Sequence, residues 1–411
     1  MRILFVTPYL ATPPRYGAQR RLDGLMRGLA RSHEISLVTF VDPEEDVACA
    51  IRATEAYCAK IVAVPNQSYS FTTEQKRLLQ LRSMFSRRSY ESFVYHGAAL
   101  TRALERLLAD GSYDVVNFEF AQMAGNGRLD IWPARRRSLF ILDEHNIEYD
   151  ILRRTAANAR GVDRKVYSAL NWRKLRSEER AAWRRFDGCA VTSARDERLL
   201  RRDLPSLPTV VVPNAVDVGF FRPSGRCARA DPLTLLFFGA VSYHPNTDGL
   251  LFFLREILPR VKARYPDVRL RIVGPSVPAE IAARAGDGVE VVGLVDDIRP
   301  YLESATVIVV PLRIGGGTRF KILEAMAMGK PIVSTTIGAE GLDVRDGSEI
   351  LLADKPDAFA LQVGRLLDDA PLRDAMGAAG RALVERRYSW DASVARLEEF
   401  YGELMARRER S

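Results

Sequence analysis

Cysteine and histidine are scarce in this 411-residue sequence, with four of each. The cysteines form no CxxC pair, so they provide neither a structural zinc motif nor a disulfide framework. The histidines are too far apart along the chain to suggest a metal cluster. The residues concerned are Cys49, Cys58, Cys189 and Cys227, and His33, His96, His145 and His244.

Long apolar runs are also missing. A membrane-spanning helix needs roughly 18 or more consecutive apolar residues, and none occurs. The amino-terminal MRILFVTPYL is too short for a signal peptide and soon meets Pro13 and Pro14. We therefore interpret it as a first β-strand and expect a cytoplasmic protein.

Length and composition indicate a folded protein with two domains. The chain exceeds the size of one ordinary core, and its 47% hydrophobic and 27% charged content is typical of globular proteins. Strand–helix–strand patterns recur along both halves. They predict an α/β fold with two doubly wound, Rossmann-like sheets.

Positive charge is concentrated in the first half of the chain. Residues 1–230 carry 37 Lys and Arg against 26 Asp and Glu, a net charge of +11, and the remainder carries 23 against 26, a net of −3. An anionic membrane surface is one partner that fits this pattern, and a solvated helix face is the other interpretation. Nucleic acid is not expected, because no recognised nucleic-acid motif accompanies the basic charge.

The segment Thr306–Ser334 is the most informative part of the sequence. It has the order strand, glycine loop, helix, strand, and Gly329 and Pro331 end the helix. Glycines let a backbone approach a ligand closely, and the unpaired amides of a helix start attract phosphate. We expect Thr318 to cap this helix, with Arg319 and Lys321 beside the anion and Glu324 accepting hydrogen bonds from a sugar. The loop glycines are Gly315, Gly316 and Gly317.

The string GGGTRFKILEAMAMGKPIVST resembles the donor-binding segment of retaining, family 4 glycosyltransferases with the GT-B fold. The strings VVPNAVDVGFFRP and VGLVDDIRPYLESATVIVVPL resemble the linker and last strands of the same family. The resemblance implies two Rossmann-like domains facing across a ligand cleft. It also implies a nucleotide-sugar donor bound by the carboxyl-terminal domain.

Two positions depart from the family pattern. Many members carry an acidic residue where Gly316 stands, eight positions before Glu324. Many also grip the diphosphate with an Arg and a Lys in the turn after the first strand of the second domain. Here that turn follows Gly239 and offers Tyr243, His244 and Asn246. The resemblance thus assigns the diphosphate to Arg313, Arg319 and Lys321, and the nucleobase to the backbone near Val295.

In the first half, the segment DEHNIEY follows a predicted strand directly. His145 is therefore expected at the carboxyl end of a parallel strand, where α/β sheets bind ligands. Four polar neighbours make a functional histidine more plausible than a structural one. Family members carry a histidine near this position that faces the donor sugar, and the loop ending at Gly17 is expected beside it.

These patterns predict a metal-independent retaining glycosyltransferase without a cofactor, acting on a glycan, lipid-linked or small-molecule acceptor. Its catalytic residues would be His145, Arg319 and Lys321. A 2-epimerase on the same fold and a noncatalytic nucleotide-sugar-binding subunit remain alternatives. The expected domains are 1–215 and 233–388, with a linker at 216–232 and a final helical segment, 389–411, returning to the first domain.

Overall fold

The structure is a computed structural model that describes residues 1–14, 16–110, 113–127, 137–157, 162–224, 233–314 and 318–410. The chain forms two units. The first contains Met1–Pro213 together with Ser393–Ser411, and the second contains Asn214–Ala392. Each unit is built around its own parallel sheet, which confirms the predicted fold class of two Rossmann-like α/β domains.

The first unit alternates strands and helices, with a 3-10 helix at Ala121–Asn126. In chain order its elements are β1 Arg2–Thr7, α1 Gly17–Leu29, β2 Glu34–Val41, α2 Ala48–Glu55, β3 Lys60–Pro65, α3 Thr73–Met84, α4 Tyr90–Val94, α5 Ala98–Asp110, β4 Val115–Glu119, β5 Leu139–Glu144, α6 Glu148–Ala157, α7 Val162–Trp183, β6 Gly188–Val191, α8 Ala194–Asp203 and β7 Thr209–Val211.

The second unit repeats the pattern, with a π-helical turn at Phe253–Ile257 between two helices. Its elements are β8 Thr234–Phe238, α9 His244–Phe252, α10 Leu258–Arg264, β9 Arg269–Val273, α11 Ala279–Ala282, β10 Val289–Gly293, α12 Arg299–Ser304, β11 Val307–Val310, α13 Phe320–Ala327, β12 Ile332–Ser334, β13 Leu351–Leu352, α14 Pro356–Asp368 and α15 Ala370–Arg387. The last helix, α16 Trp390–Glu409, runs from this unit into the first.

Both sheets have a point where the strand order reverses. Among the described residues the first sheet has the order β3-β2-β1-β4-β5-β6-β7, and the second has β10-β9-β8-β11-β12-β13. All paired strands are parallel. The chain leaves β1 and β4 in opposite directions, as it does β8 and β11. Such a switch point opens a crevice at the carboxyl ends of the two strands, where ligands bind.

Continuous apolar strands and one-sided helices fill the two cores. The whole of β11 is buried, as a strand covered on both faces requires. Helix α1 buries an apolar face of Leu22, Leu25, Met26 and Leu29, and it also buries Arg21. Within the described residues, no helix has both the length and the apolar content needed to cross a membrane.

The carboxyl-terminal helix α16 packs into the first unit. It buries Val394, Leu397, Phe400, Tyr401 and Leu404. A β-carbon on Gly188, the first residue of β6, would lie 2.6 Å from the Phe400 ring. The absence of a side chain at Gly188 therefore lets α16 lie close to the sheet.

Side-chain hydrogen bonds shape two of the turns before helices. The segment between β3 and β4 contains three helices, and α4 begins where Ser89 accepts a hydrogen bond from the Ser92 amide. Helix α9 starts at His244. The Asn246 and Thr247 side chains donate back to the carbonyls of Ala240 and Val241, so they hold the preceding turn and do not cap the helix.

Candidate active site

The carboxyl ends of β4 and β5 bring several ionisable side chains into the interior of the first unit. Glu119 ends β4, Asp143 and Glu144 end β5, and His145 follows at once, as predicted. The three acidic residues are fully buried and His145 is 3% exposed. Buried charges are costly unless they are paired, so the partners of these groups decide what the site can do.

Arg21 pairs with Asp143 beneath this edge of the sheet. The guanidinium donates from Nη2 to Oδ1 at 2.9 Å and from Nε to Oδ2 at 3.2 Å, and neither side chain is exposed. Its Nη1 donates to the Val212 carbonyl at 2.8 Å. The ion pair thus joins α1, β5 and the segment after β7.

Glu119 and His145 form a second buried pair, with 2.7 Å between Oε2 and Nε2. Burial raises the pKa of Glu119 to about 8 and lowers the pKa of His145 to about 3. Near neutral pH the pair therefore holds one proton in its hydrogen bond, and the imidazole is uncharged. The Asn117 amide donates to the other oxygen of Glu119 at 2.6 Å and accepts from the Tyr401 hydroxyl at 3.0 Å.

Glu119, Asp143 and His145 have potential ligand atoms within 4.8 Å of one another. By distance they could hold a metal ion, which the scattered histidines of the sequence did not suggest. The Arg21 guanidinium, however, takes both carboxylate oxygens of Asp143. A cation added there would face a fixed positive charge, so we interpret the group as a hydrogen-bonded network.

Phe120 lies over this network in a strained backbone conformation. Its φ is 67°, which is unusual for a bulky residue and costs on the order of 1–3 kcal/mol. The Phe120 ring lies 4.0 Å from the His145 ring, centroid to centroid. The His145 Nδ1 atom is buried and has no hydrogen-bond partner among the described residues. Strain and an unpaired polar atom at one place are typical of a functional site.

A cavity of about 910 Å³ opens beside Phe120 in the first unit. Its walls come from the ends of β1 and β2 and from the segments after β4 and β5. Tyr16 and Ala18, which flank the predicted Gly17 at the start of α1, also line it. The volume is within the range of small-molecule sites, about 300–1,000 Å³.

In the second unit, Lys321 lies at the switch point between β8 and β11. Its Nζ donates to Asn246 Oδ1 at 2.8 Å and is 4.1 Å from the centre of the Phe237 ring. The residue is partly exposed, and its amine is held against these two groups. Burial, reinforced by the charge of Arg319, lowers the pKa of Lys321 to about 7.

Gly239 lets Lys321 reach this position. Its φ of +124° favours glycine, and a β-carbon there would lie 3.3 Å from the Lys321 Nζ. Asn246 holds the same turn by donating to the Ala240 carbonyl at 2.7 Å. Gly239, Asn246 and Lys321, predicted from separate stretches of sequence, are therefore brought together.

The predicted cap of α13 was wrong. Arg319 occupies the N-cap position without a side-chain capping bond, and the helix begins at Phe320. The Thr318 hydroxyl is buried and has no partner among the described residues. The cause is that Arg319 adopts an extended backbone, which places Thr318 one residue too early to cap.

The other predicted donor residues are more scattered. Arg313 donates to both carboxylate oxygens of Asp248, at 2.6 and 3.0 Å, so much of its charge is already neutralised. Tyr243 is 59% exposed at the N-cap of α9, Glu324 is buried on α13, and Val295 follows β10. Gly315, Gly316 and Gly317 lie outside the described residues.

Sequence reasoning missed Arg21, Glu119 and Phe120. Arg21 lies on the apolar side of α1, where a helical pattern counts an arginine as solvated. Glu119 ends β4 as His145 follows β5, and neighbouring parallel strands place their ends together. That rule could have paired the two residues. The conformation of Phe120 has no counterpart in the sequence.

Comparisons with known proteins agree with this architecture. Residues 16–215 match the model described as "Glycosyl transferase 4-like domain", and residues 232–369 match "Glycosyl transferases group 1". A sucrose-phosphate synthase from Thermosynechococcus elongatus has a TM-score of 0.71 and 18% identity, covering 99% of this chain and 100% of that one. The Anabaena HepE protein in complex with UDP has a TM-score of 0.68 and 15% identity, covering 98% and 100%.

Closer sequence relatives match over part of their length. A phosphatidyl-myo-inositol mannosyltransferase of Mycobacterium tuberculosis is 33% identical over 205 residues, which span 47% of this chain and 53% of that protein. A D-inositol 3-phosphate glycosyltransferase of Thermobispora bispora is 30% identical over 53% of this chain and 55% of its own. The chain thus matches about half the length of these curated relatives. With two family models matched on its two units, it belongs to the group 1 glycosyltransferases.

Proposed function

We propose that this protein transfers a sugar from a nucleoside-diphosphate sugar to a hydroxyl group of an acceptor, with retention of the anomeric configuration. The observation that carries the proposal is Lys321 at the switch point of the second sheet, held by Asn246 and accommodated by Gly239. Retention follows from the family resemblance and is tested by the anomeric configuration of the product.

The diphosphate of the donor would bind at the carboxyl ends of β8 and β11. The first turn of α13 and the side chains of Arg319 and Lys321 would supply its positive partners. Lys321 would take up a proton as the anion arrives, because a phosphate beside an enclosed amine favours the ammonium form. These groups would then stabilise the charge that develops on the departing diphosphate.

Glu324 would hold the ribose through its carboxylate, and Val295 would lie near the base. No metal cofactor is part of the proposal, since fixed cationic side chains carry the charge. A relative from Corynebacterium glutamicum is named GDP-mannose-dependent, and it is 34% identical over 35% of this chain. GDP-mannose is therefore the first donor to try.

His145 would meet the transferred sugar from the first unit. Its Nδ1 would bond a sugar hydroxyl, which would satisfy the atom that the described residues leave unpaired. The Phe120 ring covers the imidazole in a strained conformation. We therefore expect this ring to shift when the sugar binds.

The test is a thermal-shift panel of UDP, GDP, ADP and CDP with EDTA present, followed by transfer assays with the matching nucleotide sugars. A ligand that binds only the folded state raises the melting temperature. Glu324→Ala should abolish the shift, and Glu280→Ala, an exposed position in the same unit, should preserve it. His145→Ala should preserve the shift and lose transfer.

Each other outcome has a definite meaning. A nucleotide shift without transfer to any acceptor would favour a noncatalytic nucleotide-sugar-binding subunit. Epimerised or hydrolysed donor without transfer would favour an epimerase on this fold. Loss of the shift in EDTA, with recovery by a divalent cation, would refute metal independence.

We further propose that helix α3 contacts an anionic membrane surface. Leu78 and Leu81 on α3 and Phe85 directly after it are 68%, 54% and 90% exposed and recur at helical spacing. Five exposed cationic residues are near them in the sequence: Lys76, Arg77, Arg82, Arg87 and Arg88. Apolar groups flanked by positive charge are what an interfacial helix needs.

A cytoplasmic location of the protein remains a prediction.

A further inference from the structure

The cavity of the first unit lies at the end of the sheet where α/β folds bind ligands. It is formed at the switch point between β1 and β4, with Pro8 and Tyr9 after β1 and Phe120 after β4. Asn146 and Glu148 approach from the segment after β5. The cavity belongs wholly to the first unit, whereas Lys321 belongs to the second.

Aromatic side chains make up much of the wall. Several meet edge to face, with centroid distances of 5.3 Å for Tyr9 and Tyr16 and 6.4 Å for Tyr69 and Tyr95. Burial raises the pKa of Tyr9 well above its usual range, so its hydroxyl stays neutral. The six aromatic residues are Tyr9, Tyr16, Phe40, Tyr69, Tyr95 and Phe120. Aromatic faces pack against the apolar C–H faces of ring compounds, and phenol hydroxyls supply polar contacts.

Carboxyl groups account for the charge of the wall. Asp42, Glu45 and Asp46 lie on the loop between β2 and α2, and Glu91 and Glu148 lie on other segments. A hydrogen bond from Ser70 lowers the pKa of Asp42, so that this group is ionised at neutral pH. Among the lining residues that the structure describes there is no lysine and no arginine.

The first turn of α1, at Ala18 and Gln19, contributes positive rather than negative charge to the cavity wall. A helix start carries roughly half a positive charge and attracts anions. The three carboxylates of the β2–α2 loop carry up to three negative charges. Among the described lining residues the carboxylates therefore outweigh this partial positive charge, which disfavours a phosphate.

Glu148 is held in a position from which it can bind a hydroxyl group. Its backbone amide donates to Glu179 Oε1 at 3.0 Å, which fixes the start of α6. Its carboxyl has a long contact of 3.5 Å with the Asn146 amide. Burial raises the pKa of Glu148 to about 7, so the group can accept or donate a hydrogen bond near neutral pH.

We propose that this cavity binds the acceptor through an uncharged, hydroxyl-bearing ring, with Glu148 contacting a ring hydroxyl, and that it rejects rings bearing a phosphate. This inference rests on the proposed function and specifies its acceptor. It separates this chain from its relative that is named for D-inositol 3-phosphate. A phosphate elsewhere in a lipid-linked acceptor would have to remain outside the cavity.

Cys49 gives a local measure of binding. It is a free, exposed cysteine that lines the cavity, whereas Cys58 and Cys189 are buried. Alkylation of Cys49 by N-ethylmaleimide, followed by peptide mass spectrometry, reports occupancy without any turnover. The probes are two matched pairs: myo-inositol with D-inositol 3-phosphate, and methyl glucoside with glucose 6-phosphate.

We expect the uncharged ring to slow the alkylation of Cys49 in at least one of the two pairs. The phosphate-bearing ring of that pair should need at least a tenfold higher concentration for the same protection. Glu148→Ala should weaken this protection by about tenfold, the value of one hydrogen bond to a charged group. Protection by the phosphates at equal or lower concentration would overturn the inference. Absence of protection by both uncharged rings would also overturn it.

Charge reversal provides the matched control. Glu45→Lys places a cation on the wall and should improve protection by the phosphates at least about threefold at low salt. Glu44→Lys makes the same change one residue away, at a position that does not line the cavity, and should have a smaller effect. Equal effects of the two variants would show that the wall does not set the preference.

The nucleotide panel on the same samples separates the two proposals. If nucleoside diphosphates still raise the melting temperature while the ring preference fails, only the acceptor inference is lost. If the nucleotides fail and the rings still protect Cys49, the proposed donor function is lost instead.

Discussion

At the scale of single residues, Lys321 makes nucleotide binding dependent on pH. With a pKa of about 7 in the free protein, the amine loses its charge just above neutrality. A bound diphosphate restores the charge, so the affinity should fall as the pH rises. Between pH 7 and 8.5 we expect a loss of roughly tenfold in affinity for the stabilising nucleoside diphosphate, measured by calorimetry.

Lys321→Met should bind more weakly and show little of this dependence. Lys355→Met removes an exposed cation of the same unit and should behave like the wild type. A wild-type affinity that stays constant over the range would mean that Lys321 remains charged, or that it does not meet the phosphates.

The Glu119–His145 pair should give the folding stability a characteristic pH profile. The folded pair holds one proton between about pH 3 and 8. The unfolded groups hold two protons below pH 4.5, one up to pH 6.5 and none above it. Stability therefore falls below pH 4.5, where the unfolded state binds more protons, and falls again from pH 6.5 to 8, where it binds fewer.

The measurable quantity is the difference in free energy of unfolding between the wild type and Glu119→Gln/His145→Gln. We expect a plateau between pH 4.5 and 6.5 and a loss of about 1–2 kcal/mol by pH 8. If this difference in free energy of unfolding increases as the pH is raised beyond 6.5, the pair does not hold a single proton.

At the scale of elements, α3 should govern membrane association. Phe85→Ser and Leu78→Gln remove exposed apolar groups, and each nearby Lys or Arg contributes about 1 kcal/mol at an anionic surface. We expect wild-type protein to co-float with phosphatidylserine-containing vesicles and not with phosphatidylcholine alone. The double variant should lose most of this binding.

The control is Leu361→Gln, which alters another exposed leucine, 59% accessible, on α14 of the second unit. Its binding to vesicles should equal that of the wild type. If the Phe85→Ser/Leu78→Gln variant binds the vesicles as well as Leu361→Gln does, the exposed apolar residues of α3 do not contact the membrane.

At the scale of the whole molecule, the last helix belongs to the first unit although it is last in the sequence. A chain ending at Ala392 loses five buried apolar side chains, each contributing about 1.5–3 kcal/mol. Their sum, about 7–15 kcal/mol, is comparable to the usual stability of a whole domain, about 5–15 kcal/mol. We expect the first unit to become sensitive to limited proteolysis, while the second keeps its nucleotide-dependent thermal shift.

A chain ending at Ala406 retains the buried residues and loses the bond from Arg408 to the Ser138 carbonyl. It should resist proteolysis nearly as well as the full chain. Equal stability of both truncated chains would contradict the packing of α16 into the first unit.

The sequence by itself determined the two parallel sheets, the strand–loop–helix segment before β12, and the position of His145 after β5. These features follow from local patterns: apolar strands, helical spacing and glycine at a helix end, as at Gly329. Only the tertiary structure decided that Arg21 enters the core to meet Asp143, that Glu119 shares a proton with His145, and that Asn246 receives Lys321. Such contacts join residues 26 to 122 positions apart, and the pairing of buried charges is fixed only when packed elements exclude water.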